Sequence, residues 1–192
     1  PPRSTLFPYT TLFRSISHRV AMLAAVADGT SSVTGFLESE DCLSTLKAME
    51  SMGAVVESVA AGFRITGTGG DLRDPGGPID LGNSGTGMRL LCGLVAGRPF
   101  TTEITGDASI RRRPMRRVQE PLQRMGAQVE LLGDGGCAPI RITGGTLNGI
   151  DYFLPVPSAQ AKSRVLLAGS RKIDVQETSV NPWGSRLPNN ER

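Results

Sequence analysis

Met52-Gly53-Ala54-Val55-Val56-Glu57 returns as Met125-Gly126-Ala127-Gln128-Val129-Glu130, and this recurrence decides the fold. Self-similarity at long range means that one structural unit is used more than once. Further out, Thr34-Gly35 returns as Thr105-Gly106, and Arg64-Ile65-Thr66-Gly67 as Arg141-Ile142-Thr143-Gly144. Apolar segments beginning at Arg19, Arg89 and Arg164 also match one another. A period of roughly 70–77 residues is too long for a solenoid repeat and suits a small α/β unit.

Each copy has the same plan. Helices are expected over Ile16–Asp28, Thr86–Ala96 and about Gln160–Ala168, each followed by a glycine that stops it. β-rich strands follow at Ser32–Phe36 and Thr101–Thr105. A second helix comes next in both copies. In the first, Ser39 is the expected N-cap, Glu40 and Asp41 complement the dipole, and Leu43, Leu46 and Met49 recur on one face. In the second, Pro114 suits the first helical position and Pro121 should kink the helix. Strand pairs close each unit, Ala54–Val59 with Phe63–Thr66 and Ala127–Leu132 with Ile140–Thr143. The predicted class is α/β (α+β), built from repeated βαβαββ-like units with a third copy cut short at Gly169.

Composition narrows the function classes. The 192 residues carry 21 Lys+Arg against 18 Asp+Glu, a net charge of +3, with 39% hydrophobic content and 24 glycines. These values describe a globular chain, not a disordered or fibrous one. The excess charge sits at the ends: Arg3 and Arg14 have no acid within 1–14, while Arg171, Lys172, Arg186 and Arg192 outnumber Asp174, Glu177 and Glu191. The body between is neutral, so the basic balance is weak support for a nucleic-acid partner. Residues 1–14 and 170–192 lack the repeat pattern. We expect foreign-looking or disordered sequence there, flanking a body at 15–169. Cys42, Cys92 and Cys137 form no C-x-x-C pair and His18 is the sole histidine, so no structural metal site is expected. Half-buried thiols in a reducing cytoplasm and no membrane span are the readings these features favour.

Three segments could carry chemistry. Leu81-Gly82-Asn83-Ser84-Gly85-Thr86-Gly87-Met88-Arg89 is a glycine-rich turn entering a helix, where free N–H groups favour an anion. A well-capped tight turn explains the loop equally well. Gly106-Asp107-Ala108-Ser109-Ile110-Arg111-Arg112-Arg113-Pro114-Met115-Arg116-Arg117 packs five arginines into seven residues. Arginine's planar fork grips phosphate and carboxylate, so one of them is expected on a ligand and the others in surface or ion-pair roles. Leu154-Pro155-Val156-Pro157-Ser158-Ala159-Gln160-Ala161-Lys162-Ser163 again precedes a helix, with Ser158 in the register of Asn83. The first copy offers Arg14-Ser15-Ile16-Ser17-His18-Arg19 at the same place, so all three helix starts are expected to converge on one small anion. His18 itself is read as a capping or packing residue.

These motifs, in this order, resemble the 5-enolpyruvylshikimate-3-phosphate synthase family. The likeness covers about Ser15–Gly169 and includes Gly35–Asp41. It implies an inside-out barrel of repeated units, one incomplete domain here out of two in the family. It also implies transfer of the enolpyruvyl group of phosphoenolpyruvate to the 5-hydroxyl of shikimate 3-phosphate, in the shikimate pathway toward chorismate and aromatic amino acids. No cofactor or metal is implied, and the full-length protein is expected to be a cytoplasmic monomer. By matching motifs, Ser15, Arg19, Ser158, Ala159 and Gln160 are expected on shikimate 3-phosphate, and Asn83, Gly85 and Arg113 in the phosphoenolpyruvate pocket. Gly85 stands where some glyphosate-tolerant members carry alanine, which implies a glyphosate-sensitive parent enzyme.

Two departures qualify the likeness. Arg14 stands where the family has a lysine that contacts phosphoenolpyruvate, and a guanidinium does not freely replace an ammonium. The second domain, with the expected general base, is absent, so the chain alone should show little or no catalysis. Among rivals, UDP-N-acetylglucosamine enolpyruvyltransferase carries a reactive cysteine where this chain has Ala108. RNA 3′-phosphate cyclase or a non-enzymatic basic binding module would put the arginine run on nucleic acid, against a neutral body with only 5% aromatic residues for stacking.

Overall fold

The computed structural model describes residues 6–151 together with 167 and 168. Along the chain run α1 (Leu6–Val26), β1 (Thr30–Thr34), α2 (Glu40–Ser51), β2 (Val55–Val59), β3 (Gly62–Thr66), β4 (Ile79–Asp80), α3 (Gly85–Ala96), β5 (Thr101–Thr105), α4 (Arg116–Arg124), β6 (Gln128–Gly133) and β7 (Cys137–Thr143). The strands form two sheets, ordered β1-β3-β2 and β4-β5-β7-β6. Among the described residues only β4 and β5 run parallel, with α3 as their crossover.

The repeat is present down to single hydrogen bonds. Thr30 faces Thr66 across β1 and β3 as Thr101 faces Thr143 across β5 and β7, each hydroxyl pair 2.9 Å apart. Glu57 reaches Arg64 at 3.7 Å and Glu130 reaches Arg141 at 3.6 Å. The Met-Gly signature ends α2 and α4 through Gly53 and Gly126, whose φ values of 104° and 105° lie where other residues are strained. The following N–H groups then turn back, Ala54 to the Met49 carbonyl and Ala127 to that of Leu122. Gly67 and Gly144 close both units tightly. A Cβ on Gly67 would strike the Ala24 and Ala27 carbonyls, and one on Gly144 those of Val95, Ala96 and Arg98.

Helix α3 explains why the two units share one core. It is buried on nearly every side, from Gly85 to Ala96, as a helix with no polar stripe must be. Leu90, Leu91 and Leu94 pack with Met22 of α1, Met49 of α2, Val118 and Leu122 of α4, and Ile104 and Ile142 of the second sheet. Helices thus lie inside and sheets outside, in line with the expected architecture. A smaller cluster joins α1 to the first sheet, where the Phe36 and Phe63 rings meet edge-on at 5.1 Å.

Several boundaries differ from expectation. α1 starts at Leu6, ten residues ahead of Ile16. No glycine or proline interrupts residues 9–20, and Pro8 falls in the first turn, where a missing N–H costs nothing. Pro114 is not the first helical residue of α4. It holds Arg113 extended at φ −90°, ψ 129° and bridges to Cys137, so the helix waits until Arg116. Pro121 does lie inside α4. Ser39 precedes α2 in extended conformation, yet its hydroxyl donates to Asp41 Oδ1 at 2.5 Å and caps no backbone N–H. β4 has only two residues, too few to show periodicity. The predicted third helix lies outside the described residues except for Leu167 and Ala168, which are helical and buried.

Candidate functional site

The parallel pair β4–β5 sets the location, because loops leaving the carboxyl ends of adjacent parallel strands converge beside the crossover helix. From Asp80 the chain enters Leu81–Ser84 and then α3; from Thr105 it enters Gly106–Arg113. The two loops are stitched together. Asp107 N–H donates to the Gly82 carbonyl at 2.9 Å, and Gly106 passes so close to that carbonyl that no side chain would fit. The Asp80 carboxylate takes the Gly82 N–H at 2.8 Å. The Asp107 carboxylate takes the Ser109 and Ile110 N–H groups at 2.9 and 3.0 Å. The Ser109 hydroxyl bond, ahead of these amides and the Arg113 charge, holds its carboxyl below the ordinary value of 3.8.

Gly85, the first residue of α3, faces a notch between two guanidinium groups. A Cβ there would lie 2.7 Å from Arg113 Nη1 and 3.0 Å from Arg89 Nη1. Arg89 also donates to the Gly85 carbonyl at 3.1 Å. Burial lowers the Arg89 pKa, and the Arg113 and Arg117 charges lower it further. Among the described residues no carboxylate lies within ion-pair distance of Arg113. Two converging cations at a helix N-terminus, with no side chain on the glycine between them, have the charge and geometry that suit a compact anion. Asn83 is exposed, one residue ahead of the Ser84 N-cap, whose Oγ accepts the Gly87 N–H at 3.1 Å.

The arginine run does not form one basic face. Arg111 donates through Nε to the Gly106 carbonyl at 2.9 Å, Arg113 turns to Gly85, and Arg116 lies beside Gly136. The expectation is one arginine on a ligand and the others in surface or ion-pair roles; of the five, Arg113 is the one that faces Gly85.

The first unit meets this place through α1. His18 is wholly buried and lies 3.3 Å, through Nε2, from Ser84 Oγ. Ser15 and Arg19 therefore stand at the same end of the core as Gly85. Arg19 Nη1 donates to the Ser15 carbonyl at 2.8 Å, repeating the Arg89–Gly85 bond. Ser15 is not at a helix start, however; it sits inside α1, and its N–H belongs to the helix ladder. The picture of three equivalent N-termini thus fails for the first copy. Arg14 is paired with Asp41, Nε to Oδ2 at 3.1 Å. Ser158, Ala159 and Gln160 lie outside the described residues. Arg89 was missed as a site residue, although its recurrence as Arg19, Arg89 and Arg164 was the available signal.

The family model for EPSP synthase (3-phosphoshikimate 1-carboxyvinyltransferase) matches residues 13–185. The chain belongs to the EPSP synthase family. Among curated members, the 3-phosphoshikimate 1-carboxyvinyltransferase of Methylococcus capsulatus is 55% identical over 159 residues, covering 81% of this chain and 36% of that protein. The Bacillus subtilis member is 48% identical over 174 residues, covering 90% and 40%. A solved EPSP synthase from Acinetobacter baumannii superposes with a TM-score of 0.77 at 49% identity, again over 81% of this chain and 36% of the other. The chain therefore spans little more than a third of the length of these family members. No helix among the described residues is long and apolar enough to cross a membrane.

Proposed function

We propose that this chain forms the anion-binding part of an enzyme that transfers the enolpyruvyl group from phosphoenolpyruvate to the 5-hydroxyl of shikimate 3-phosphate. The observation that carries this is the notch at Gly85, bounded by Arg89 and Arg113 at the N-terminus of α3. Phosphoenolpyruvate is small and polyanionic and loses its phosphate through a tetrahedral addition–elimination intermediate. A fixed pair of guanidinium groups binds that phosphate and stabilises the charge it gathers as it leaves. On this reading Asn83, Gly85 and Arg113 hold phosphoenolpyruvate, with Arg89 as an addition. Ser15, Arg19, Ser158, Ala159 and Gln160 hold shikimate 3-phosphate.

Arg14 is a weaker candidate, because Asp41 already engages its Nε. The general base belongs to the part of the family fold outside the third that these residues span. The full-length enzyme is a cytoplasmic monomer. Titration of the 15N-labelled chain tests the reading. Phosphoenolpyruvate should shift the Gly82, Gly85 and Gly87 amides in the wild type and not in Arg113→Ala, and shikimate 3-phosphate should bind where shikimate does not. Salt-dependent binding of an RNA oligonucleotide, with no response to either phosphate ester, would instead favour a basic binding module.

A further inference from the structure

His18 lies where α1, α2 and the start of α3 meet, and its ring completes a directed chain of hydrogen bonds. Its Nδ1 is 2.8 Å from Thr45 Oγ1, and the Thr45 hydroxyl is 3.4 Å from the Asp41 carbonyl. A backbone carbonyl only accepts, so Thr45 donates its proton to Asp41 and receives one from His18 Nδ1. That tautomer leaves a lone pair on Nε2, whose nearest partner is Ser84 Oγ at 3.3 Å, with Asp41 Oδ2 at 3.7 Å and Cys42 Sγ at 3.9 Å farther off. Ser84 gives its hydroxyl proton to Nε2 and uses a lone pair to accept the Gly87 N–H. The opposite tautomer would set Thr45 donating to His18, forfeit the bond to the Asp41 carbonyl and turn an Nε2 proton toward Asp41 Oδ2, which Arg14 already engages. There is no slack around this chain, since a Cβ on Gly87 would lie 2.6 Å from Ser84 Oγ and 2.8 Å from Thr45 Oγ1.

We propose that His18 is the positioning residue of the anion loop, fixing through Ser84 the N-cap of α3 and hence the direction of the Asn83–Gly85 peptide groups. The proposal rests on the reading of that loop as a phosphate site. Burial, the largest influence on His18, keeps the ring neutral; Asp41 opposes it, while Arg14 and Arg19 reinforce it. A neutral ring is what an acceptor Nε2 requires. A rival use of the same atoms is a metal site, because His18, Asp41 and Cys42 bring their ligand atoms within 4.8 Å of one another. Both Asp41 oxygens are already engaged, Oδ1 by Ser39 and Oδ2 by Arg14, so a cation would have to displace a guanidinium.

The test uses the full chain and the variants His18→Gln, His18→Asn and Ser84→Ala. The Gln carboxamide reaches the place of Nε2 and can accept from Ser84; the shorter Asn can hold Thr45 but cannot reach Ser84. Gly87 amide exchange should quicken about five- to tenfold in His18→Asn and Ser84→Ala, the loss expected of a removed cap, and stay near wild type in His18→Gln. Affinity for inorganic phosphate should follow the same order. His18→Asn combined with Ser84→Ala should lose no more than either alone. Equal behaviour of Asn and Gln, additive losses, or stoichiometric zinc uptake abolished by Cys42→Ser would each overturn the proposal. If Gly87 responds as described and the wild type does not bind phosphate, the phosphate reading of the loop fails while the positioning of the cap by His18 stands.

Discussion

Replacing Gly85 by alanine separates anion binding from folding, because the two should move in opposite directions. The new methyl would sit 2.7 Å from Arg113 Nη1 and 3.0 Å from Arg89 Nη1, so both guanidinium groups must retreat by roughly half an ångström or more. Charge-assisted hydrogen bonds to a phosphate contribute about 1.5–3 kcal/mol each. Halving a bond near the top of that range costs about 1.4 kcal/mol, a tenfold loss of affinity. Folding does not suffer. Gly85 is in the first turn of α3, with no positive φ, and alanine in a helix is favoured over glycine by about 0.5–1 kcal/mol. The atoms displaced are the ends of flexible side chains. Phosphate titration followed by the Gly82 and Gly87 amides should show the tenfold weakening, while thermal unfolding shifts upward by up to ~4 °C or stays level. Unchanged phosphate affinity, or a fall in melting temperature alongside it, would refute the notch as the anion receptor.

Other perturbations address the frame around the notch. Gly67→Ala and Gly144→Ala each drive a methyl into backbone carbonyls, so each should cost about 3 kcal/mol and lower the melting temperature by roughly 6–12 °C in calorimetry. Leu91→Ala empties the middle of the shared core and should cost about 2–5 kcal/mol by urea denaturation. His18 has a folded pKa below the ordinary 6.5, so its contribution to stability is complete above 6.5 and falls away as pH drops toward the folded value. Arg14, Arg19, Asp41 and Cys42 surround the ring and do not reverse that sign; His18→Gln should flatten the stability profile as pH falls below 6.5. Asp107 behaves as a depressed carboxylate. Its support for the 106–113 loop is full above 3.8 and is lost at lower pH, and Asp107→Ala should weaken phosphate binding at neutral pH.

How much of this was legible follows from signal length. The Met-Gly turns, the closing hairpins, α3 and β5 were readable because each combines a glycine punctuation with a full period of apolar residues. Residues 79–80 could not be read as a strand, since two residues have no periodicity and only their parallel partner β5 defines them. The start of α1 was misplaced because no local breaker marks either Leu6 or Ile16. Pro114 was assigned to a helix on a propensity that its bridge to Cys137 overrides. At the site, Gly85 and Arg113 were singled out in sequence through motifs, whereas Arg89 was used only as a landmark of the repeat. Its role appears when the turn of α3 brings it back over the Gly85 carbonyl. The bond between His18 and Ser84 spans 66 residues, and no local pattern encodes it.

The two sheets differ at one margin. In the second, β4 lies along the outer side of β5; in the first, β1 occupies the place of β5 and has no such neighbour among the described residues. Among the described residues the backbone of Thr30-Ser31-Ser32-Val33-Thr34 has no strand partner along that side. Its side chains include neither lysine nor proline, the usual guards against strand addition. Wherever that margin is left uncovered, β1 is the strand expected to template the addition of another strand. A Ser32→Lys change, at an exposed position of β1 and away from the core-facing Val33, should raise the concentration at which the protein remains monodisperse.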